Sequence, residues 1–267
     1  MGFEEQIVLP HTDLRVGRVG LGSSFGVDAD DMEEAFDHGV NFFYWGSIRR
    51  PRFGKGIRRL ARRDRSKIVV ALQSYARAPG LMTLAVETGL LRLGLDYADV
   101  LIFGWHNFRP FGFLLDEARR LKERGRVRRF LMSGHNRPFF PEMAEEDFFD
   151  LFMVRYNAVH RGAEKEIFPL LPPGPKRPGI VAYTATRWGN LMNPKKTPPG
   201  ERTPRASDCY RFCLTNPEVN MVLSGPANRE ETREAIETLK RGPMSEDELA
   251  WMRRVGDHIH KHARMGA

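Results

Sequence analysis

The sequence predicts an α/β fold, a single (β/α)8 TIM barrel that spans residues 1–267. Short apolar segments alternate with longer amphipathic segments, and eight of the apolar segments have the composition of buried strands. A chain of 267 residues, 41% of them hydrophobic, falls in the usual size range of such a barrel. No internal repeat or low-complexity segment interrupts the alternation, so we expect one domain.

The first half of the chain alternates strand and helix four times. Strands are predicted over 14–23, 40–45, 67–74 and 97–105, and helices over 28–39, 53–63, 81–95 and 111–125. Asp28 or Asp30 is a suitable N-cap for the first helix, because a short carboxylate accepts hydrogen bonds from the free amides of the first turn. Gly39 and Gly125 follow helical segments and are typical helix ends.

The second half of the chain continues the pattern. Strands are predicted over 128–134, 148–157, 179–185 and 219–225, and helices over 164–171, 207–216, 228–240 and 245–263. The last helix opens with the pair Ser245 and Glu248, which has the spacing of a capping box. Two segments rich in proline and glycine, 170–179 and 190–207, are predicted to be surface loops near the barrel mouth.

The net charge of +8 is concentrated in residues 49–67, where Asp64 is the single acid in a run of arginines and lysines. A solvated helix face explains this run better than a nucleic-acid site, because no aromatic side chains are interleaved with the charges. Arg49, Arg50 and Arg52 differ, since the turn after a barrel strand belongs to the active-site face. They are candidates for binding a carboxylate or phosphate of a substrate.

No stretch is apolar and long enough to span a membrane, and the first residues lack the pattern of a secretory signal, so a cytoplasmic protein is expected. The two cysteines, Cys209 and Cys213, are predicted to be reduced thiols, because two thiols on one helix face suit neither a structural zinc site nor a disulfide. The histidines of 258–262 lack carboxylate or cysteine partners, so no metal site is predicted.

Seven segments resemble the aldo-keto reductase family, and they occur in the family's order along almost the whole chain. They are TDLRVGRVGLGSSFG, HGVNFF, LGLDYADVLIFGW, GRVRRFLMSGHN, FDLFMVRYNAVHRGAEKEIFPLL, GIVAYTA and NPEVNMVLSGPANREETREAIETL. The resemblance implies the barrel fold and reversible reduction of a small carbonyl compound by a hydride from NADP(H). In that chemistry a tyrosine donates the proton, a lysine and an aspartate tune its pKa, and a histidine orients the carbonyl.

All four positions of that catalytic set differ in this sequence. Tyr44 stands at the aspartate position, Arg49 at the tyrosine position (Ile48 if the turn is shorter), Gln73 at the lysine position and Gly104 at the histidine position. The resemblance therefore predicts an atypical active site, whose chemistry is either rearranged or impaired.

The positions that hold the cofactor in the family are better kept. Ser133 and Tyr183 match the residues that contact the nicotinamide, whereas Gly134 replaces the family asparagine, with His135 and Asn136 next in the chain. Met153 replaces the family glutamine of the sixth strand.

After the eighth strand, Ser224 and Gly225 keep the small residues of the family, and a helix start follows, which suits an anion. Glu231 occupies the usual arginine position, while Arg229 and Arg233 lie close by. NADP(H) is the expected cofactor, and NAD(H) is not excluded.

Tyr44, Arg49, Gln73 and His106 are the candidates for relocated chemistry. Tyr44 could act as an acid whose pKa Arg49 lowers, His106 could orient or protonate a substrate, and Gln73 could donate a hydrogen bond to it. The simpler interpretation is that Tyr44 and Trp45 only fill the space of the lost catalytic set.

Three functions remain open at this point. The leading one is an atypical oxidoreductase that binds NADP(H). The others are a non-redox barrel enzyme that acts on an anionic small molecule, and a ligand-binding pseudoenzyme. Each implies a small-molecule partner, and neither nucleic acid nor a membrane is expected as a partner.

Overall fold

The computed structural model describes residues 2–265 and confirms the predicted (β/α)8 barrel. Eight parallel strands close into a ring in chain order. They are β3 (Val19–Gly22), β4 (Phe42–Trp45), β5 (Val69–Ser74), β6 (Ala98–Phe103), β7 (Val127–Ser133), β8 (Leu151–Arg155), β9 (Gly179–Tyr183) and β10 (Met221–Ser224), preceded by the hairpin strands β1 (Ile7–Val8) and β2 (Arg15–Val16). No helix within the described range is long and apolar enough to cross a bilayer.

Nine α-helices lie in the described range. They are α1 (Ala29–Asp37), α2 (Pro51–Asp64), α3 (Leu81–Leu93), α4 (Gly112–Glu123), α5 (Phe139–Glu145), α6 (Ala163–Glu166), α7 (Ala206–Thr215), α8 (Arg229–Arg241) and α9 (Glu246–Met265). Asp28 caps α1 by accepting from the Asp30 amide at 3.0 Å. The predicted capping box at α9 is confirmed, because the Glu248 amide donates to Ser245 Oγ at 3.2 Å and the Ser245 amide donates to Glu248 Oε2 at 3.0 Å.

The first predicted strand, 14–23, is in fact two strands with different partners. Residues of β2 pair antiparallel with β1, and β3 alone joins the barrel. The chain turns at Gly17, whose amide donates to Asn41 Oδ1 at 2.9 Å and whose Cα faces the Gly39 carbonyl too closely for any side chain. The hairpin buries Leu9 and Val16 against the inner barrel layer, so it closes the amino end of the barrel.

Two further sequence predictions are corrected. Helix α5 lies in a segment for which no element was predicted. Pro138 is the residue before the helix and Pro141 lies in its first turn, where a missing N–H costs little. The segment 170–179 leads into β9 and packs beside Pro10, at the amino end of the barrel, so it is not near the mouth. The segment 190–207 follows β9 and lies on the mouth side, as predicted.

Strand alternation sorts side chains into two apolar layers. On β5, Val69 and Ala71 belong to the layer inside the barrel, and Val70 and Leu72 belong to the layer between strands and helices. The next inward position on β5 is Gln73, at the carboxyl end of the strand. The same alternation directs the late residues of the other strands into one space at the mouth.

The basic run 49–67 lies mainly on α2, and part of it is neutralised. Arg59 pairs with Asp30 at 2.5 Å and Arg63 with Asp37 at 2.6 Å, both on the neighbouring α1. The prediction of a solvated helix face fits this arrangement. Cys209 and Cys213 are free thiols buried on α7, as predicted.

A buried ion pair ties α7 to α9. Arg211, with 4% of its side chain exposed, donates to Glu248 at 2.6 and 2.7 Å and to the carbonyls of Gly242 and Pro243. Mainly because of the hydrogen bonds from Arg211, the pKa of Glu248 falls to about 2.

We expect Arg211→Met to reduce the free energy of unfolding by about 2 kcal/mol. This is less than the usual cost of breaking a fully buried pair, because Glu248 is partly exposed and keeps Arg241 at 3.6 Å. Since Glu248 has a lower pKa in the folded state, its contribution is present above about pH 4 and is lost as the pH falls towards 2. The difference in free energy of unfolding between the wild type and Arg211→Met, measured by urea unfolding, should therefore become smaller below pH 4.

The matched control is Arg254→Met, which breaks the exposed pair with Glu201 and should cost less than about 1 kcal/mol. Equal losses in the two variants would contradict the assigned role of Arg211.

Candidate active site at the barrel mouth

A cavity of about 560 Å³ opens at the carboxyl ends of the barrel strands. Its lining combines late strand residues with residues of the following loops, as expected for a barrel of this type. Among residues 2–265, no aspartate, glutamate, lysine or arginine lines it, and His135 is its one histidine. The cavity is therefore an uncharged, largely aromatic space.

Four exposed aromatic side chains form the rim of the cavity. Phe25, Tyr75, Trp105 and Trp188 line it and remain 56 to 62% exposed. Exposed aromatic side chains gathered around one opening leave apolar area uncovered, which is typical of a ligand site. No sequence motif marks this rim, but each of its residues follows a barrel strand, and that position is the signal by which it could be recognised.

Tyr44 and Gln73 form the polar centre of the cavity. The Tyr44 hydroxyl donates a hydrogen bond to Gln73 Oε1. Burial raises the pKa of Tyr44 far above its ordinary value, and the neighbouring Tyr75 raises it further. The predicted lowering of this pKa by Arg49 is therefore wrong: Arg49 is exposed in the turn after β4 and does not line the cavity.

Gly104 makes room for this centre. A Cβ at Gly104 would lie 2.5 Å from Gln73 Nε2 and 2.7 Å from Tyr75 Cε1. Similarly, a Cβ at Gly46 would lie 2.7 Å from the Tyr44 hydroxyl. Glycines at 46 and 104 thus leave the space that Tyr44, Gln73 and Tyr75 occupy, and a side chain at 104 would displace Gln73 and Tyr75.

His106 lies outside the cavity lining and is buried, with its ring 5.8 Å from Phe103 and 6.5 Å from Phe108. Burial, followed by the charge of Arg77, lowers the pKa of His106 to about 4, so the ring is neutral near pH 7. Its Nδ1 is buried without a hydrogen-bond partner in the described range. The structure does not bring His106 together with Tyr44 and Gln73.

Four of the predicted cofactor residues line the cavity: Ser133, Tyr183, Ser224 and Gly225. Ser133 Oγ accepts from the Trp105 amide at 3.1 Å. Ser224 Oγ donates to the Gly20 carbonyl at 3.0 Å.

Tyr183 ends β9, and its ring forms part of the cavity wall. Its hydroxyl is 3.0 Å from His135 Nδ1. Burial raises the pKa of Tyr183 to about 12, so this hydroxyl is neutral as well.

The other three predicted cofactor residues, Asn136, Arg229 and Arg233, do not line the cavity. Asn136 is exposed, and its Nδ2 donates to the Asn107 carbonyl at 3.1 Å. Arg229 donates to Asp31 at 2.8 Å and Arg233 donates to Glu34 at 2.6 Å, so both guanidinium groups are bound to carboxylates of α1.

The side chain of Glu231 accepts a hydrogen bond from a backbone amide just before the start of α8. Its Oε2 accepts from the Ala227 amide at 2.8 Å. A bound anion would compete with this carboxylate and with Glu230 in the same helical turn.

No group of three or more metal-ligand side chains occurs in the described part of the chain, and the structure holds His258, His260 and His262 apart from any carboxylate cluster. The rings of His258 and His262 are 4.1 Å apart, and His260 faces His160 at 6.3 Å.

Comparisons with known proteins support the fold. No family model matches the chain. The barrel superimposes on aldo-keto reductase AKR11C1 from Bacillus halodurans in its holo form, with a TM-score of 0.79, 18% identity, and coverage of 94% of this chain and 96% of the other. An aldo-keto reductase from Klebsiella pneumoniae in complex with NADPH gives a TM-score of 0.73, 19% identity, and coverage of 95% of both chains.

A curated relative is the NADH-specific methylglyoxal reductase of Escherichia coli (strain K12), which is 25% identical over 114 residues. The match covers 38% of this chain and 35% of the relative, so it spans about a third of the relative's length. These likenesses show that the chain has the barrel of the aldo-keto reductases, which confirms the resemblance seen in the sequence at the level of the fold.

We expect Gly104→Ala to destabilise the protein by about 1 to 3 kcal/mol, because the added methyl overpacks Gln73 and Tyr75. The double variant Gly104→Ala with Gln73→Ala should recover part of the lost stability, since alanine at 73 leaves room for the methyl group at 104. Urea unfolding of the two single variants and the double variant measures the coupling.

Gly112→Ala is the control, because a Cβ there meets no atom within 4 Å and Gly112 begins α4. It should be neutral or slightly stabilising. Additive effects of Gly104→Ala and Gln73→Ala would show that the two positions are not sterically coupled.

Proposed function

We propose that this chain is an aldo-keto-reductase-like oxidoreductase that binds a nicotinamide dinucleotide at the barrel mouth and acts on a small carbonyl compound through a rearranged active site. The observation that carries the proposal is the position of the Tyr44–Gln73 pair in the same uncharged cavity as Tyr183 and Ser133. These four side chains combine an aromatic wall, buried hydroxyls and a polar centre.

The two ends of the cavity differ in how well they suit the dinucleotide. The part of the cavity that Tyr183 and Ser133 line suits a nicotinamide ring, because Tyr183 offers an aromatic surface and Ser133 a buried hydroxyl. The outer end is less suited to a phosphate on the ribose, because Arg229 and Arg233 already bind carboxylates and Glu231 faces the helix start. NADP(H) remains the cofactor implied by the family, but this end gives no reason for a strong preference over NAD(H).

The bound dinucleotide would supply or accept a hydride at the substrate carbon. This chain must then stabilise the substrate oxygen. Gln73 Oε1 accepts from Tyr44, which leaves Gln73 Nε2 as a donor that can polarise a carbonyl. Tyr44 stays protonated at neutral pH and is the nearest proton source to that amide.

No lysine or arginine among the described residues lines the cavity to stabilise the phenolate of Tyr44. Proton donation from this hydroxyl is therefore less favourable than donation from a tyrosine beside a lysine. A slow reductase is the expected result, and it would be most effective with small, reactive carbonyl compounds. The partial likeness to a methylglyoxal reductase supports a substrate of this kind.

The other functions have less support. A non-redox enzyme that uses Arg49 with Tyr44 would need both at one site, and Arg49 lies outside the cavity. A pseudoenzyme is consistent with the missing lysine and aspartate, and turnover measurements separate it from the proposed reductase. A cytoplasmic location and the absence of nucleic-acid partners remain predictions.

We expect NADH and NADPH to quench the fluorescence of Trp105 and Trp188 with micromolar dissociation constants, because both indoles line the cavity. The two constants should agree within about tenfold, since the arginines near α8 are already paired. Asp31→Asn combined with Glu34→Gln should strengthen NADPH binding alone, because it releases Arg229 and Arg233.

Quenching should persist in Trp251→Phe, since Trp251 is buried elsewhere. Absence of quenching by either nucleotide up to millimolar concentrations would contradict the proposal.

For turnover, we expect reduction of methylglyoxal by NADH to fall about 100-fold in kcat in Tyr44→Phe, with little change in nucleotide affinity. The reason is that the variant removes the proton donor and leaves the cavity shape. Arg49→Gln is the control and should keep the wild-type rate, because Arg49 does not line the cavity.

Stopped-flow measurement of NADH consumption gives these rates. A Tyr44→Phe variant as fast as wild type would remove Tyr44 from the mechanism. Nucleotide binding without any turnover in the wild type would favour the pseudoenzyme.

A further inference from the structure

Two half-buried arginines beside the cavity have no counter-ion within residues 2–265. Arg155 ends β8 and Arg187 lies in the loop after β9, and neither guanidinium donates a hydrogen bond or forms an ion pair there. Other partly buried arginines of this protein, such as Arg65 and Arg211, bind carboxylates. Since an unpaired cation is costly to desolvate, these two guanidinium groups are suited to an anion from outside the chain.

The cations converge on one place. The pKa of His160 is lowered to about 4, first by burial and then by the charges of Arg155, Arg187, His260 and Arg137. The charges with the largest effect on this half-buried imidazole are thus positive, and the ring of His260 is 6.3 Å away.

Arg137 adds a third guanidinium to this cluster. It pairs with Glu166 at 2.9 Å, and its Nε is buried without a hydrogen-bond partner in the described range. Glu166 therefore neutralises only part of the positive charge around His160.

This cluster adjoins the cavity. Arg155 is in register with Tyr183 on the neighbouring strand, and its charge also acts on Tyr183 and His135, which line the cavity. Arg187 lies between the cavity-lining residues Thr186 and Trp188.

The loop that carries Arg187 has an unusual backbone. Thr184, Arg187 and Trp188 all have φ between 51° and 60°, a region that non-glycine residues rarely occupy. The Arg187 amide donates to the Thr184 carbonyl at 2.9 Å, which holds the turn in this conformation. Strained backbone of this kind often occurs at ligand sites.

We propose that Arg155, Arg187 and Arg137, around His160, form an anion subsite that binds the phosphate or carboxylate group of a ligand whose uncharged part occupies the cavity. Guanidinium groups bind both anions through paired hydrogen bonds. The ligand is expected to have an uncharged part and an anionic part because of the charges at the two places. Among the described residues, the cavity lining carries no charge, whereas the adjacent cluster has an excess of cations. This proposal rests on the proposed function only in treating the cavity as the ligand site. The substrate anion site predicted at Arg49, Arg50 and Arg52 stays a separate prediction.

The first experiment follows the His160 imidazole by NMR as a function of pH, with and without inorganic phosphate. Bound phosphate should raise the pKa of His160 by about one unit, because a neighbouring anion favours the protonated ring. Arg155→Gln and Arg187→Gln should each weaken phosphate binding at least tenfold. Arg233→Gln is the matched control, since this arginine is paired with Glu34 away from the cluster, and it should leave phosphate binding unchanged.

The second experiment tests whether cavity and cluster hold one ligand. Phenyl phosphate should bind at least tenfold more tightly than either inorganic phosphate or phenol, and Arg155→Gln should remove that advantage. Competition with NADH then identifies the source of the anion. Competition between inorganic phosphate and NADH assigns the subsite to the phosphates of the dinucleotide, whereas simultaneous binding assigns it to the substrate.

Two results would overturn the inference: a His160 pKa that phosphate does not change, or equal weakening of phosphate binding by Arg155→Gln and Arg233→Gln. The phosphate titration uses no nucleotide. A failure of NADH to bind would therefore refute the proposed function and leave the anion subsite separately testable.

Discussion

Closure of the barrel forces the last inward side chains of its strands into one small space, and charge in that space must be balanced internally. A lone lysine or aspartate there would be a buried, unpaired ion. In this protein two neutral side chains, Gln73 and Tyr44, meet in this space and bind each other. A charge on one of them alone would leave a buried ion without a partner, so the neutrality of the two side chains is physically linked.

Space imposes a second link. Gln73 and Tyr75 occupy the volume into which any side chain at Gly104 would project. The glycine is thus part of the same arrangement, although it contributes no chemical group. The site is therefore one neutral, mutually packed set of residues.

The arginines around the uncharged cavity fall into two groups, one paired with carboxylates and one not paired. On the α8 side, Arg229 and Arg233 are neutralised by carboxylates of α1. On the β8 and β9 side, Arg155 and Arg187 have no such partners in the described range. The electrostatic attraction for an anionic ligand is therefore directed to the second side, beside Tyr183.

The sequence by itself determined the barrel and the order of its strands, because strand alternation and helix periodicity are local properties of the chain. The resemblance to a known family also pointed to Tyr44, Gln73 and Tyr183, which lie at or next to the ends of their strands and line the cavity. The hairpin of β1 and β2 and the helix α5 were not predicted. The separation of β2 from β3 depends on the turn at Gly17, whose contacts come from Gly39 and Asn41, which are remote in the sequence.

Only the tertiary structure decided which candidate groups meet. His106 lies behind the cavity and Arg49 outside it, although both are close in sequence to strand ends. Whether an arginine is free or paired depends on the acids that neighbouring elements bring to it, as Asp31 does for Arg229. Such distances between remote segments are set when the barrel closes, and no local pattern in the sequence encodes them.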